Sequence, residues 1–143
     1  MDTADTTTAR FRAAVEARDL AAMAGLFTED VRLYSPVTFT PFEGRPAVLG
    51  LLGVLLRTFE DFRYVGQLEG TAETGGDGGE RAPSEILIFR AVVNGRQIHG
   101  LDLFQFDGDG LIKELTVMVR PLSAVQALGE AVRKGLAADG LLP

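Results

Sequence analysis

From Phe62 to Arg120 the chain reads as four β-strands in succession, over 62–72, 84–93, 96–107 and 111–120, parted by Gly75-Gly-Asp-Gly-Gly79, Asn94-Gly95 and Asp107-Gly-Asp-Gly110. Asn-Gly is the strongest of these turn signals, because a tight primed turn needs positive φ at both central residues. Strands joined this way form an antiparallel meander, and one face of it must be covered by other elements. The flanking segments supply helices. Phe11 and Val15, then Leu20, Met23 and Phe27 beyond a break at Asp19, recur at helical spacing. Thr7 or Thr8 is the expected cap of the first helix and Asp19 of the second, since their oxygens can accept from first-turn amides. Val31–Ser35 alternates as a single strand and is stopped by Pro36 and Pro41. Pro46 suits the first turn of a third helix with a broad apolar face from Val48 to Phe59, and Ser123 with Gln126 forms a capping-box pattern ahead of a last helix carrying Val125, Leu128, Val132 and Leu136. The order is that of an α+β domain: helices gathered on one face of a curved, mostly antiparallel sheet, leaving a cone with an apolar interior.

With 143 residues, 46% of them apolar, the chain is expected to be one domain, 1–143, with one core. A net charge of −6 argues against nucleic acid and anionic membranes as partners. The absence of cysteine excludes disulfides and thiolate chemistry. No cofactor or metal is expected. Gly75–Gly79 has neither the lysine nor the strand-to-helix setting of a phosphate loop. A calcium-loop register on Gly110 would put Gln105 at the first ligand position and Thr116 at the bidentate acid, so that reading fails. The opening segment, rich in Asp and Thr, lacks the basic start and apolar run of a secretory signal, and the apolar stretch Pro46–Leu56 is too short to span a bilayer, so a cytoplasmic location is expected.

The segment Gly100-Leu-Asp-Leu-Phe-Gln-Phe106 places a carboxylate inside an apolar strand. Asp is depleted in strands and an unpaired buried carboxylate is unfavourable. Asp102 is therefore a water-facing residue, a peg bonded to a neighbouring hydroxyl or amide, or a group lining a pocket.

Two stretches carry a resemblance. Leu26-Phe-Thr-Glu-Asp-Val-Arg-Leu-Tyr-Ser-Pro-Val37 with Gly44, and Leu101-Asp-Leu-Phe-Gln-Phe-Asp-Gly-Asp-Gly-Leu-Ile112, resemble the nuclear transport factor 2-like superfamily, whose cystatin-like cone fold is shared by ketosteroid isomerases and SnoaL-like polyketide cyclases. The resemblance implies a pocket in which such isomerases use a base aspartate beside the Pro-Val, with an oxyanion hole made by a helix-one tyrosine and a protonated strand acid. In this chain the strand acid matches Asp102, the base position falls on Ser35, the tyrosine on Phe11, and a supporting tyrosine near Leu52. Phenylalanine cannot donate a hydrogen bond and serine has little basicity near neutral pH, so the vessel is implied without the usual mechanism.

In that register, alternation puts Asp102 on the inward face with Gly100, Phe104 and Phe106, facing Leu33 and Ser35, Leu87, Phe89 and Ala91, and Leu115, Val117 and Val119. The expected ligand set is Phe11, Val15, Leu33, Ser35, Leu52, Leu55, Phe59, Leu87, Phe89, Asp102, Phe104, Leu115, Val117 and Val119, with Asp102 and Ser35 as candidate catalytic groups. No Lys or Arg is expected inside, so desolvation should raise the Asp102 pKa. His99 and Glu114 have the opposite parity and should face outward as surface or interface groups. Ile86, Ile88, Val92, Leu101, Leu103, Thr116 and Met118 make an outer face too apolar for water, which predicts a homodimer through the sheets. Three functions follow: a pocket that holds a small hydrophobic molecule; an isomerase, cyclase or dehydratase using Asp102 as acid or base on an enolisable carbonyl; or an assembly module with a filled cone.

Overall fold

A computed structural model describes residues 6–75 and 79–142. Residues 76–78, the centre of the Gly75–Gly79 turn, and residues 1–5 of the segment read for a leader lie outside it. The chain runs α1 (Thr7–Glu16), α2 (Leu20–Ala24), β1 (Phe27–Tyr34), β2 (Phe42–Glu43), α3 (Arg45–Thr58), β3 (Glu60–Glu73), β4 (Arg81–Val93), β5 (Arg96–Phe106), β6 (Ile112–Arg120) and α4 (Leu122–Ala138). The strands form one curved, unclosed sheet in the order β2-β1-β6-β5-β4-β3, antiparallel throughout except for the parallel β1–β6 pair. This is the α+β cone expected from the element order. Among the described residues no helix is long and apolar enough to cross a membrane.

Local chemistry corrects several boundaries. Thr6, not Thr7 or Thr8, caps α1 by accepting from the Ala9 amide at 3.0 Å. Thr7 instead donates to the Gly110 carbonyl at 2.5 Å, and the buried Thr8 donates to Glu85, so both hydroxyls tie the helix to the sheet. Asp19 caps α2 as expected. That helix stops at Ala24, and Phe27 opens β1, because the Leu26 carbonyl is taken by the Ile112 amide at 2.8 Å and draws the chain alongside β6. A short apolar run with i, i+3 and i+4 spacing cannot by itself separate helix from strand. The Ser123–Gln126 capping box does not form: α4 starts at Leu122 behind Pro121, which leaves Ser123 inside the first turn.

The pairing register fixes the faces. Asp102 lies opposite Leu87 on β4 and Val117 on β6, while Gly100 lies opposite Phe89 and Val119. On the outer side, the end of the β3–β4 hairpin folds back over the sheet. The Gln105 amide donates to the Ala72 and Glu73 carbonyls at 3.1 and 3.0 Å, Lys113 meets Glu80 at 3.3 Å, and Gly75 lies against the Tyr34 ring. Glu114, expected as a solvated or interfacial charge, is consequently buried.

Gly100 marks the tightest contact of the curved sheet. A Cβ there would fall 2.5 Å from the Phe89 ring and 2.7 Å from the Met118 carbonyl oxygen. Overpacking of this kind destabilises by about 1–3 kcal/mol. Gly100→Ala should lower the urea midpoint accordingly at unchanged m-value; an unchanged midpoint would show that the sheet can open at this point.

Candidate functional site

Between the concave sheet face and the helices lies a cavity of about 700 Å³. Helix α1 contributes Phe11, Arg12, Val15 and Glu16; α3 contributes Leu51, Leu52, Leu55 and Leu56; and α4 contributes Leu128, Val132 and Leu136. One wall is aromatic. The Phe62 and Phe89 rings stack with centroids 5.1 Å apart, and Phe59 sits 5.3 Å from Phe62 and 5.7 Å from Phe89. The sheet adds Leu33, Leu115, Val117, Asp102 and Tyr64.

Of the residues expected to line a pocket, Phe11, Val15, Leu33, Ser35, Leu52, Leu55, Phe59, Phe89, Asp102, Leu115 and Val117 border this cavity. Leu87, Phe104 and Val119 do not. Phe104 is fully buried beneath Phe11, with ring centroids 4.8 Å apart, so that end of the cone is solid. Leu87 is likewise fully buried in the core. Val119, opposite the bare Gly100, borders a shallow depression on the outer face with Ile88, His99, Leu101 and Met118.

Asp102 projects from the middle of β5 into apolar surroundings and is only 8% exposed. Desolvation alone pushes its pKa up to about 7 from 3.8, and among the described residues no side chain donates a hydrogen bond to it. Four arginines, Arg12, Arg18, Arg63 and Arg133, also border the cavity, contrary to the expectation drawn from the strands alone. None of them offsets the desolvation of Asp102. Ser35 borders the cavity too, but its hydroxyl oxygen accepts the Val37 and Thr38 amides at 3.3 and 3.2 Å. It shapes the turn and has no base beside it to make it a nucleophile.

Tyr64 was not identified from the sequence. Its hydroxyl is buried without a hydrogen-bond partner, and its pKa is raised first by burial and next by the charge of Asp102. The Arg12 guanidinium lies over its ring, 5.4 Å from the centroid, and Phe62 packs on it edge-on at 5.0 Å. The cavity thus holds a hydrogen-bond donor with no acceptor and a carboxyl with no donor. Alternation from Phe62 would have placed Tyr64 on the same face, before the bulge that follows it. His99 lies on the outer side near Arg120, with Nδ1 3.4 Å from that guanidinium. Among the described residues no group of His, Asp and Glu could hold a metal ion.

The SnoaL-like domain model matches residues 8–115. The chain belongs to the SnoaL-like domain family. Its fold is that of the nuclear transport factor 2-like superfamily. A steroid delta-isomerase from Pseudomonas aeruginosa is 37% identical to this SnoaL-like chain, over 95% of this chain and 93% of that one, with a TM-score of 0.81. An uncharacterised bacterial protein with a cystatin-like fold from Silicibacter pomeroyi is 29% identical over 94% and 87% of the two chains, with a TM-score of 0.80. An NTF2-like protein of unknown function from Mesorhizobium loti shares the fold at 20% identity and a TM-score of 0.64, over 80% of this chain and 88% of that one. No curated protein matches.

The raised pKa has a consequence for stability. The folded chain keeps the Asp102 proton up to about pH 7, whereas the unfolded chain releases it near 3.8. Stability from this group therefore falls as pH rises from about 4 to about 7, by on the order of 4 kcal/mol in all. Asp102→Asn removes that term, so its melting temperature should gain on the wild type from about pH 4 to about pH 7 and level off above. A difference independent of pH would return the carboxyl to its ordinary range.

Proposed function

We propose that this SnoaL-like domain binds a small, largely apolar molecule bearing a carbonyl or hydroxyl, with Tyr64 donating to that oxygen and Asp102 beside it. One observation carries this reading: a 700 Å³ largely apolar cavity bordered by Tyr64, whose buried phenol has no hydrogen-bond partner, and by Asp102, whose carboxyl has no donor. Leaving such groups unpaired in the empty state is unfavourable, and a ligand oxygen satisfies both at once. The protein acts as a homodimer in the cytoplasm. The outer face supports the dimer: Leu68, Ile86 and Leu103 form one apolar column and Ile88, Leu101 and Met118 another, with Leu68 and Met118 55% and 53% exposed. A second copy of the same sheet would bury them.

Native mass spectrometry of the protein as purified tests both statements. The expected spectrum is a particle of about twice 15.3 kDa carrying a small-molecule adduct, with the adduct lost in Leu55→Trp, which fills the cavity. A bare wild-type protein would count against the bound ligand, and a 15.3 kDa particle at micromolar concentration against the dimer.

A second reading, proton transfer at an enolisable carbonyl, is favoured by the position of the Asp102 pKa near 7, where a carboxyl can both take and return a proton. The similarity to a steroid delta-isomerase supports the same chemistry. In this reading Asp102 removes an α-proton while Tyr64 stabilises the enolate oxygen, which replaces the missing base at Ser35 and the missing donor at Phe11. Incubation of a cyclic β,γ-enone with the protein in heavy water should incorporate deuterium at the α-carbon. Asp102→Asn should slow this at least 100-fold while affinity stays within about tenfold, or about 1.4 kcal/mol. Exchange no faster than solvent background would leave binding as the sole function.

A further inference from the structure

The open side of the cavity carries a charge pattern that its apolar interior does not explain. The chain has 20 acids against 14 basic residues, yet among the described residues the side chains bordering this cavity include four arginines and only two acids, Glu16 and the inward Asp102. Arg18, Arg63 and Arg133 are exposed and Arg12 is half-buried, which places them on the solvent side. They come from four places in the chain: α1, the turn after it, β3 and α4.

Two of the four charges are answered. Arg12 meets Glu16 at 3.4 Å and Arg63 meets Asp61 at 3.5 Å. Arg18 donates to the Leu56 carbonyl at 2.8 Å, which holds the side chain across the end of α3 without neutralising it, and among the described residues Arg133 forms no ion pair. Arg18 also keeps a φ of 55°, a region that disfavours arginine relative to glycine or asparagine, so local backbone preference does not explain its presence. Guanidinium groups match carboxylate and phosphate oxygens in a planar, two-point geometry.

We infer that the molecule bound in this cavity is an amphipathic anion, with its apolar body among the leucines and phenylalanines and a carboxylate or phosphate at the opening, held by Arg18 and Arg133. This rests on the ligand-binding reading of the cavity and adds the chemical class of the ligand. The pairing suits a fatty or polycyclic acid as well as a phosphorylated carrier arm, two sources that share an anion at the end of an apolar body.

Displacement of the neutral apolar fluorophore N-phenyl-1-naphthylamine by decanoate, decyl phosphate and decanol tests it, since the three competitors differ only in head group. At least one anion should displace the fluorophore at a tenfold lower concentration than decanol, and which anion leads identifies the source. Arg18→Gln with Arg133→Gln should erase most of that advantage while decanol stays within twofold. Arg133→Gln alone, which breaks no contact, should weaken the better anion at least threefold. Arg96→Gln, at the start of β5 and not among the residues bordering the cavity, should leave it unchanged. Decanol competing as well as both anions, or an equal loss by all three competitors in the double variant, would overturn the inference and leave the cavity reading standing. Failure of the fluorophore to bind at all would overturn both.

Discussion

Register is the constraint on which the rest depends. Asp102 faces the hollow because β5 pairs with β4 and β6 so that Leu87, Asp102 and Val117 share one row. A slip of one residue would send that row outside and bring Leu101 and Leu103 in, since strand side chains alternate. The bare Gly100, wedged against Phe89 and Met118, and the Asn94-Gly95 turn both hold the pairing. Cavity, carboxyl and exposed apolar face all follow from this one alignment.

The hollow stays open because its walls come from rigid elements whose own packing is complete elsewhere. The Phe11–Phe27–Phe104 cluster closes one end, and the Phe59–Phe62–Phe89 group stiffens the side wall. What remains between them is largely apolar, with Tyr64 and Asp102 on its sheet wall and the arginines on its solvent side. An acid in such a place keeps its proton near neutrality, and a phenol there keeps an unused donor, so the pair supplies hydrogen-bonding and proton-transfer capacity that water does not saturate. Ser35 and Phe11, on which the family resemblance puts the base and donor positions, supply neither.

Much of this was legible in the sequence. Turn chemistry marked the meander, and period-two alternation across 100–106, in the register that the family resemblance implies, put Asp102 inward. What escaped did so for physical reasons. Alternation put Tyr64 on the face of Phe62, but the bulges between Glu60 and Arg63 and between Tyr64 and Gly66 leave β3 without a simple register, so that face could not be assigned to the cavity. Helical spacing showed that Leu128, Val132 and Leu136 share a face of α4 without showing that the face borders a cavity. Strand parity said Glu114 points outward but could not say that a hairpin end would fold over it. Arg12, Arg18 and Arg133 lie on helices or turns, so a search of strand faces for inward cations passed over them.

One carboxyl, stripped of water and without a donor among the described residues, lines this hollow. Carbon-detected NMR titration of the Asp102 side chain in the ligand-free protein tests it most directly. A midpoint near 7 is expected; a midpoint close to 3.8, that of an exposed aspartate, would contradict a dry, donor-free site.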